Sequence, residues 1–251
     1  MASGDGLISR LQQGFVLLVF LCAADFAFAV IHLVHTGTNY LGNPRFSLGN
    51  DLGYAEFFQY FKIASIVLLL AALWWHARQP VYAAWAALYA YLLGDDALQF
   101  HERGGEAVAG FLQFENGLGL RAVDYGELTV SAGLGLLVLM VIFFSYLKSA
   151  PAARHASQDL VLLLAGLVGF GVGVDMLHIV ADGGRLGALL GLIEDGGEMV
   201  VVSFTLWYMY GLLACRGERP QPMWRVGWTA WFDRGLRTRP LTGVGPSRPT
   251  P

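Results

Sequence analysis

Apolar residues gather into long runs separated by short polar or Gly/Pro-rich links. Six runs, 14–36, 56–76, 81–101, 124–147, 158–180 and 190–214, are of membrane-crossing length, since a helix needs about 20 apolar residues to traverse the hydrocarbon layer. The pattern predicts an all-α fold: a polytopic membrane helix bundle of about six transmembrane helices over residues 1–215, with a basic, Pro-rich tail over 216–251. The first run imitates a secretory signal, with Arg10 ahead of it and the small-x-small triplet Ala27-Phe28-Ala29 inside it. It continues through Val30, Ile31, Leu33 and Val34, and so reads as a span rather than a cleaved leader. No repeat of 20–50 residues is visible, which sets aside solenoid architectures.

Composition sharpens this picture. The chain is 55% apolar and 14% charged, against roughly a quarter charged in soluble domains. Sixteen Lys and Arg against 19 Asp and Glu give a net charge of −3, with no basic excess for nucleic acid. Cys22 and Cys215 lie in apolar segments, so neither a disulfide framework nor a thiolate metal site is expected. No nucleophile elbow, phosphate loop or dinucleotide fingerprint is present.

The basic residues set the expected orientation. With six spans both termini share a side, and that side collects Arg10, Arg78, Lys148, Arg154 and the arginines from Arg216 to Arg248, eleven of the 16 basic residues. The positive-inside rule then places both termini in the cytoplasm of a bacterial inner (plasma) membrane.

The acids show the reverse asymmetry. Apart from Asp5, Asp159, Glu218 and Asp233, the carboxylates fall in the outer loops or the outer halves of the spans. An ionisable group in a spanning segment costs a few kcal/mol or more, and usually faces a partner, a water cavity or an ion. Asp95, Gln99 and Glu102 are spaced to share one face of the third span, with Asp96 and His101 beside them. Asp124 and Glu127 open the fourth span, Asp175 and His178 end the fifth, and Glu194 and Glu198 open the sixth with Gly196 and Gly197 between them. Four helices thus each direct a polar pair to one bundle end, the arrangement of carboxylate-bridged two-metal sites. Carboxylate with imidazole suits iron, manganese or zinc, with calcium a weaker fit. The expected ligands are Glu102, Glu127, Asp175, His178, Glu194 and Glu198, with His101 as a catalytic proton shuttle or further ligand. Taken singly, Asp124 and Glu194 also read as helix-start acids favoured by the backbone dipole.

A second constellation lies deeper. Asp25, seven residues before His32, shares its face. Lys62 falls inside the second apolar run, and Lys62, Asp25 and Asp95 come to roughly 9–17 Å below the outer boundary at about 1.5 Å per residue. They are expected to form an intramembrane charge pair. Gly169-x-x-x-Gly173 reads as a close-packing motif. Trp74, Trp75, Trp207, Tyr208 and Tyr210 read as an inner aromatic belt.

The segments DDALQFHE at 95–102, and VDMLHI, EDGGEM and WYMY between 174 and 210, resemble a loose group of uncharacterised bacterial polytopic membrane proteins with an Asp-Asp…His-Glu helix end and a Glu-Asp/Glu-Gly helix start. The resemblance implies that these segments belong together and implies no activity. The chain lacks the H-x-x-x-H helix of the seven-span zinc hydrolases. The leading expectation is a membrane metalloprotein with its centre near the extracytoplasmic face, an oxidoreductase or hydrolase acting on an apolar, lipid-like or interfacial substrate. The alternatives are a cation or proton transporter using the same acids with Lys62, Asp25 and Asp95, and a non-catalytic subunit of a larger membrane complex.

Overall fold

A computed structural model describes residues 14–38, 40–117, 119–180 and 184–215, without the side chains of His101, Glu102 and Val180. The first 13 residues and the tail over 216–251 lie outside the described residues. The described chain is helical and contains no strand. Its helices are α1 (Phe15–Gly37), α2 (Tyr54–Ala77), α3 (Pro80–Leu98), α4 (Phe100–Leu112), α5 (Ala122–Leu147), α6 (Pro151–Val168), α7 (Asp175–Val180) and α8 (Gly184–Ala214). A π-helical turn, Gly169–Val174, joins α6 to α7 without a break.

Four stretches are long and apolar enough to cross a membrane: Phe15–Gly37, Tyr54–Ala77, Ala122–Leu147 and Pro151–Ile179. Their outer faces carry exposed large apolar side chains, such as Phe20 at 66% and Leu68 at 70% exposure. A water-soluble surface rarely holds so continuous an apolar covering; lipid accommodates it. α3 is interrupted by Asp95 and Asp96 in its last turn, and α8 carries Arg185, Glu194, Asp195 and Glu198 in its first half.

Helix ends follow local chemistry. Pro80 and Pro151 stand at the first turns of α3 and α6, where the missing N–H costs nothing. Arg78 closes α2 in the left-handed conformation at φ 52°. Two turns at the same end are tied together: the Ala150 N–H donates to Gln79 Oε1 at 2.8 Å, and the Val81 N–H to Ser149 Oγ at 3.3 Å.

The third apolar run departs from expectation. α3 stops at Leu98, Gln99 turns the chain at φ 54°, and Phe100 starts α4 in a new direction. The expected Asp95–Gln99–Glu102 stripe therefore does not form, because its three residues do not share one helix. Gln99 instead donates from Nε2 to Asp51 Oδ2 at 3.0 Å.

The main core cluster holds Trp85, Tyr82, Ile66, Leu70, Leu73, Leu160, Met209 and Leu212, all wholly or almost wholly buried, and two smaller clusters form around Leu18 with Trp207 and around Leu48, Ala55 and Met199. α8 is its axis, packing on α1, α2, α6 and the π turn. Trp207 and Tyr208 are accordingly core residues at 3% and 2% exposure, not belt residues; Trp74, Trp75 and Tyr210 are exposed. The close approach expected at Gly169 and Gly173 occurs elsewhere. A Cβ at either would meet nothing within 4 Å, whereas one at Gly197 would run into the Phe170 ring and one at Gly171 into the Glu198 carboxylate.

Candidate metal centre

The π turn ends at Val174, and α7 begins with Asp175, so Asp175 and His178 sit three residues apart on one short helix facing α8. There the His178 ring lies against Gly191, where a Cβ would come within 3.0 Å of it. A side chain at 191 would push the imidazole off α8; the glycine lets it reach Glu194, with His178 Nδ1 2.9 Å from Glu194 Oε2. One ligand atom each from Asp175, His178 and Glu194 falls within 4.8 Å of the others, and all three side chains are partly open to the surroundings. Two carboxylates and an imidazole at that mutual distance can surround one divalent cation.

Glu198 lies one turn deeper on α8. Its carboxylate fills the notch left by Gly171 in the π turn, within Coulombic range of Asp96, Asp195, Glu194 and Asp175. Asp195, which sequence reasoning did not select, lies beside Gly49 and within range of Glu56 of α2. Gly171 and Gly191 were missed for one reason: each matters only because a particular polar side chain, Glu198 or His178, from the neighbouring helix occupies its space.

The remaining expected ligands are placed as follows. His101 and Glu102 are in the first turn of α4, and their side chains lie outside the described ones. Glu127 packs where α4 and α5 touch, its backbone and Cγ within 2.8 Å of where a Cβ of Gly105 would be. α5 packs on α3, α4 and α6, whereas Glu194 and Glu198 belong to α8. Asp124 closes a capping arrangement, accepting from the Arg121 N–H at 2.7 Å and pairing with its guanidinium at 2.6 Å. His32 accepts from the Leu48 N–H at 3.0 Å, and His35 Nδ1 contacts the Leu41 carbonyl. Both histidines thereby fasten the loop between α1 and α2.

Lys62, Asp25 and Asp95 separate into two places. Lys62 Nζ donates to Asp25 Oδ1 at 2.8 Å, to the Met199 carbonyl at 2.8 Å and to Ser203 Oγ at 3.2 Å, with 0% of its side chain exposed. Asp95 sits at the end of α3 beside Tyr91. Sequence spacing located the pair by depth, but the serine and carbonyl that complete its shell come from α8 and carry no sequence signal.

A family model spans this whole arrangement, matching residues 15–212. The chain belongs to the family described as Domain of unknown function (DUF8692). No curated protein and no solved structure matches it. In this DUF8692 chain the matched segment contains both polar centres, the Asp175/His178/Glu194 group and the Asp25/Lys62/Ser203 group, together with every helix that positions them.

Proposed function

We propose that this protein is an integral membrane metalloprotein holding a divalent cation between Asp175, His178 and Glu194. The observation that supports it is the set of three unlike ligands within 4.8 Å of one another. Glu198 and Asp195 supply further negative charge one turn in. So many carboxylates close together repel unless some are protonated or a cation neutralises them. An imidazole among carboxylates favours iron, manganese or zinc over calcium.

In this reading α3 and α8 complete a six-span bundle with both termini in the cytoplasm of a bacterial plasma membrane, which sets the centre at the extracytoplasmic end. His178, Asp175 and Glu194 hold the ion, and Glu198 is placed to accept or return a proton beside it. An ion held by these three residues would supply Lewis-acid or redox chemistry at this end of the bundle. The reading is therefore a hydrolase or oxidoreductase acting on an apolar or interfacial substrate.

Elemental analysis of the purified protein tests it. One iron, manganese or zinc per chain is expected, falling at least tenfold in Glu194→Ala and His178→Ala. A folded preparation with no metal above background, and no rise in melting temperature on adding any of these ions, refutes the proposal.

A further inference from the structure

Three contacts along α6 place α8 on one side of it. The Tyr208 hydroxyl donates to Asp159 Oδ2 at 2.9 Å, a Cβ at Gly166 would lie 3.5 Å from Val201, and the Phe170 ring fills the space where Gly197 has no side chain. Positions 159, 166 and 170 advance by seven and four while their partners 208, 201 and 197 retreat by the same steps, as on two antiparallel helices that each present one face to the other. The next contacts break that register. Glu198 fills the space beside Gly171, and the His178 ring meets Gly191 and Glu194.

An α-helix continued from Phe170 would next turn residues 173, 174 and 177 toward α8, at i+3, i+4 and i+7. The chain does otherwise: a Cβ at Gly173 would meet nothing within 4 Å, and Leu177 is 60% exposed. Two α-helical turns take about seven residues, whereas the step from Phe170 to His178 uses eight. The surplus residue is held in the π turn Gly169–Val174, where the Asp175 N–H donates to the Phe170 carbonyl five residues back. One residue is worth about 100° of rotation at 3.6 residues per turn. Without the wide turn, Asp175 and His178 would be rotated by that angle away from Glu194. Such turns are rare and gather at functional sites.

We propose that the π turn is the positioning element of the metal centre: the extra residue it takes up turns Asp175 and His178 onto α8 in place of Val174 and Leu177. In this proposal, which rests on the ion-binding reading for what the pair holds, Gly171 and Gly197 are the positioning residues. Each lacks the side chain that would collide with its neighbour, Glu198 or Phe170, so the wide turn lies flush on α8. A surplus residue gives the two directions of length change opposite consequences. Removing one residue from the turn lets it close into an α-helix with Asp175 and His178 still facing α8, whereas adding one turns both away by about 100°. In an ordinary α-helix, removal and addition would do equal damage.

The test uses the full chain with Cys22→Ser and Cys215→Ser, into which cysteine pairs are placed and oxidised in mild detergent. His178→Cys with Gly191→Cys is expected to form a disulfide in most chains, and Leu177→Cys with Gly191→Cys at least tenfold less. Deleting Gly173 should keep the 178–191 disulfide and, in chains with His178 and Gly191 intact, hold iron, manganese or zinc content within twofold of the parent. Inserting one alanine after Gly173 should lower both at least tenfold. Cross-linking through 177 in the chain of natural length, or a deletion as damaging as the insertion, overturns the proposal. Should a variant of altered length fail to fold, the comparison of 177 with 178 decides alone. Metal in a parent that cross-links through 177 refutes the positioning role and leaves the ion reading standing. A parent that cross-links through 178 and holds no metal refutes the ion reading and leaves the turn as what brings Asp175 and His178 onto α8.

Discussion

Replacing Lys62 with methionine keeps the length and apolar stem of the side chain and deletes only the ammonium. Asp25 would then retain one hydrogen bond, from the Ser203 hydroxyl, in a site that is 3% exposed. Breaking a buried ion pair by removing one partner destabilises by about 3–5 kcal/mol. At roughly 2–4 °C per kcal/mol for a chain of this size, melting should fall by about 10 °C. Intrinsic fluorescence in mild detergent at one fixed scan rate is the assay, because unfolding of such a protein is scored as a rate as well as an equilibrium. The double variant Lys62→Met/Asp25→Leu should recover at least half of the loss, since it removes the orphaned charge. An unchanged melting temperature in Lys62→Met, or a double variant no better than the single one, would mean that the 2.8 Å contact carries no appreciable energy.

Three further outcomes follow from the same geometry. Gly197→Ala should destabilise by about 1–3 kcal/mol, because its Cβ would run into the Phe170 ring; Gly173→Ala, with nothing within 4 Å, should leave melting unchanged or slightly raised, and equal effects at the two sites would refute the packing. Cysteine-accessibility labelling should mark a site near Arg45 from outside and one near Pro151 only after permeabilisation; the reverse pattern would invert the bundle and move the candidate metal centre to the cytoplasmic side. Gly191→Val should drive the His178 ring away from α8 and lower metal content at least as far as His178→Ala does, and full metal retention would show that the imidazole is not a ligand.

The helices were legible because a bilayer imposes a length on apolar runs, and the runs at 14–36, 56–76 and 124–147 agree with α1, α2 and α5 to within two residues at each end. Helix direction was less legible. DDALQFHE has perfect helical spacing for a polar stripe, but spacing cannot reveal that Gln99 adopts φ 54° and splits the segment. Aromatic position was misread for a related reason: Trp74 and Trp207 sit in similar apolar surroundings in sequence, and only the tertiary arrangement buries one and exposes the other. Of the candidate ligands, Asp175 and His178 were recognisable as a local i, i+3 pair. Their meeting with Glu194 depends on Gly191, a contact between helices with no short-range pattern.

Asp159 shows how a depth argument can mislead. Counted from Pro151 it lies on the first turns of a helix near the end where the basic residues gather, where a carboxylate ordinarily needs no more than water. Its 4% exposure and its bond to Tyr208 make it an interior group instead. Tyr208→Phe removes one of the groups that hold Asp159 in the interior and should cost about 1–3 kcal/mol of stability, read as a lower melting temperature in mild detergent. Unchanged melting in that variant would mean that the 2.9 Å bond contributes nothing to keeping the carboxylate inside.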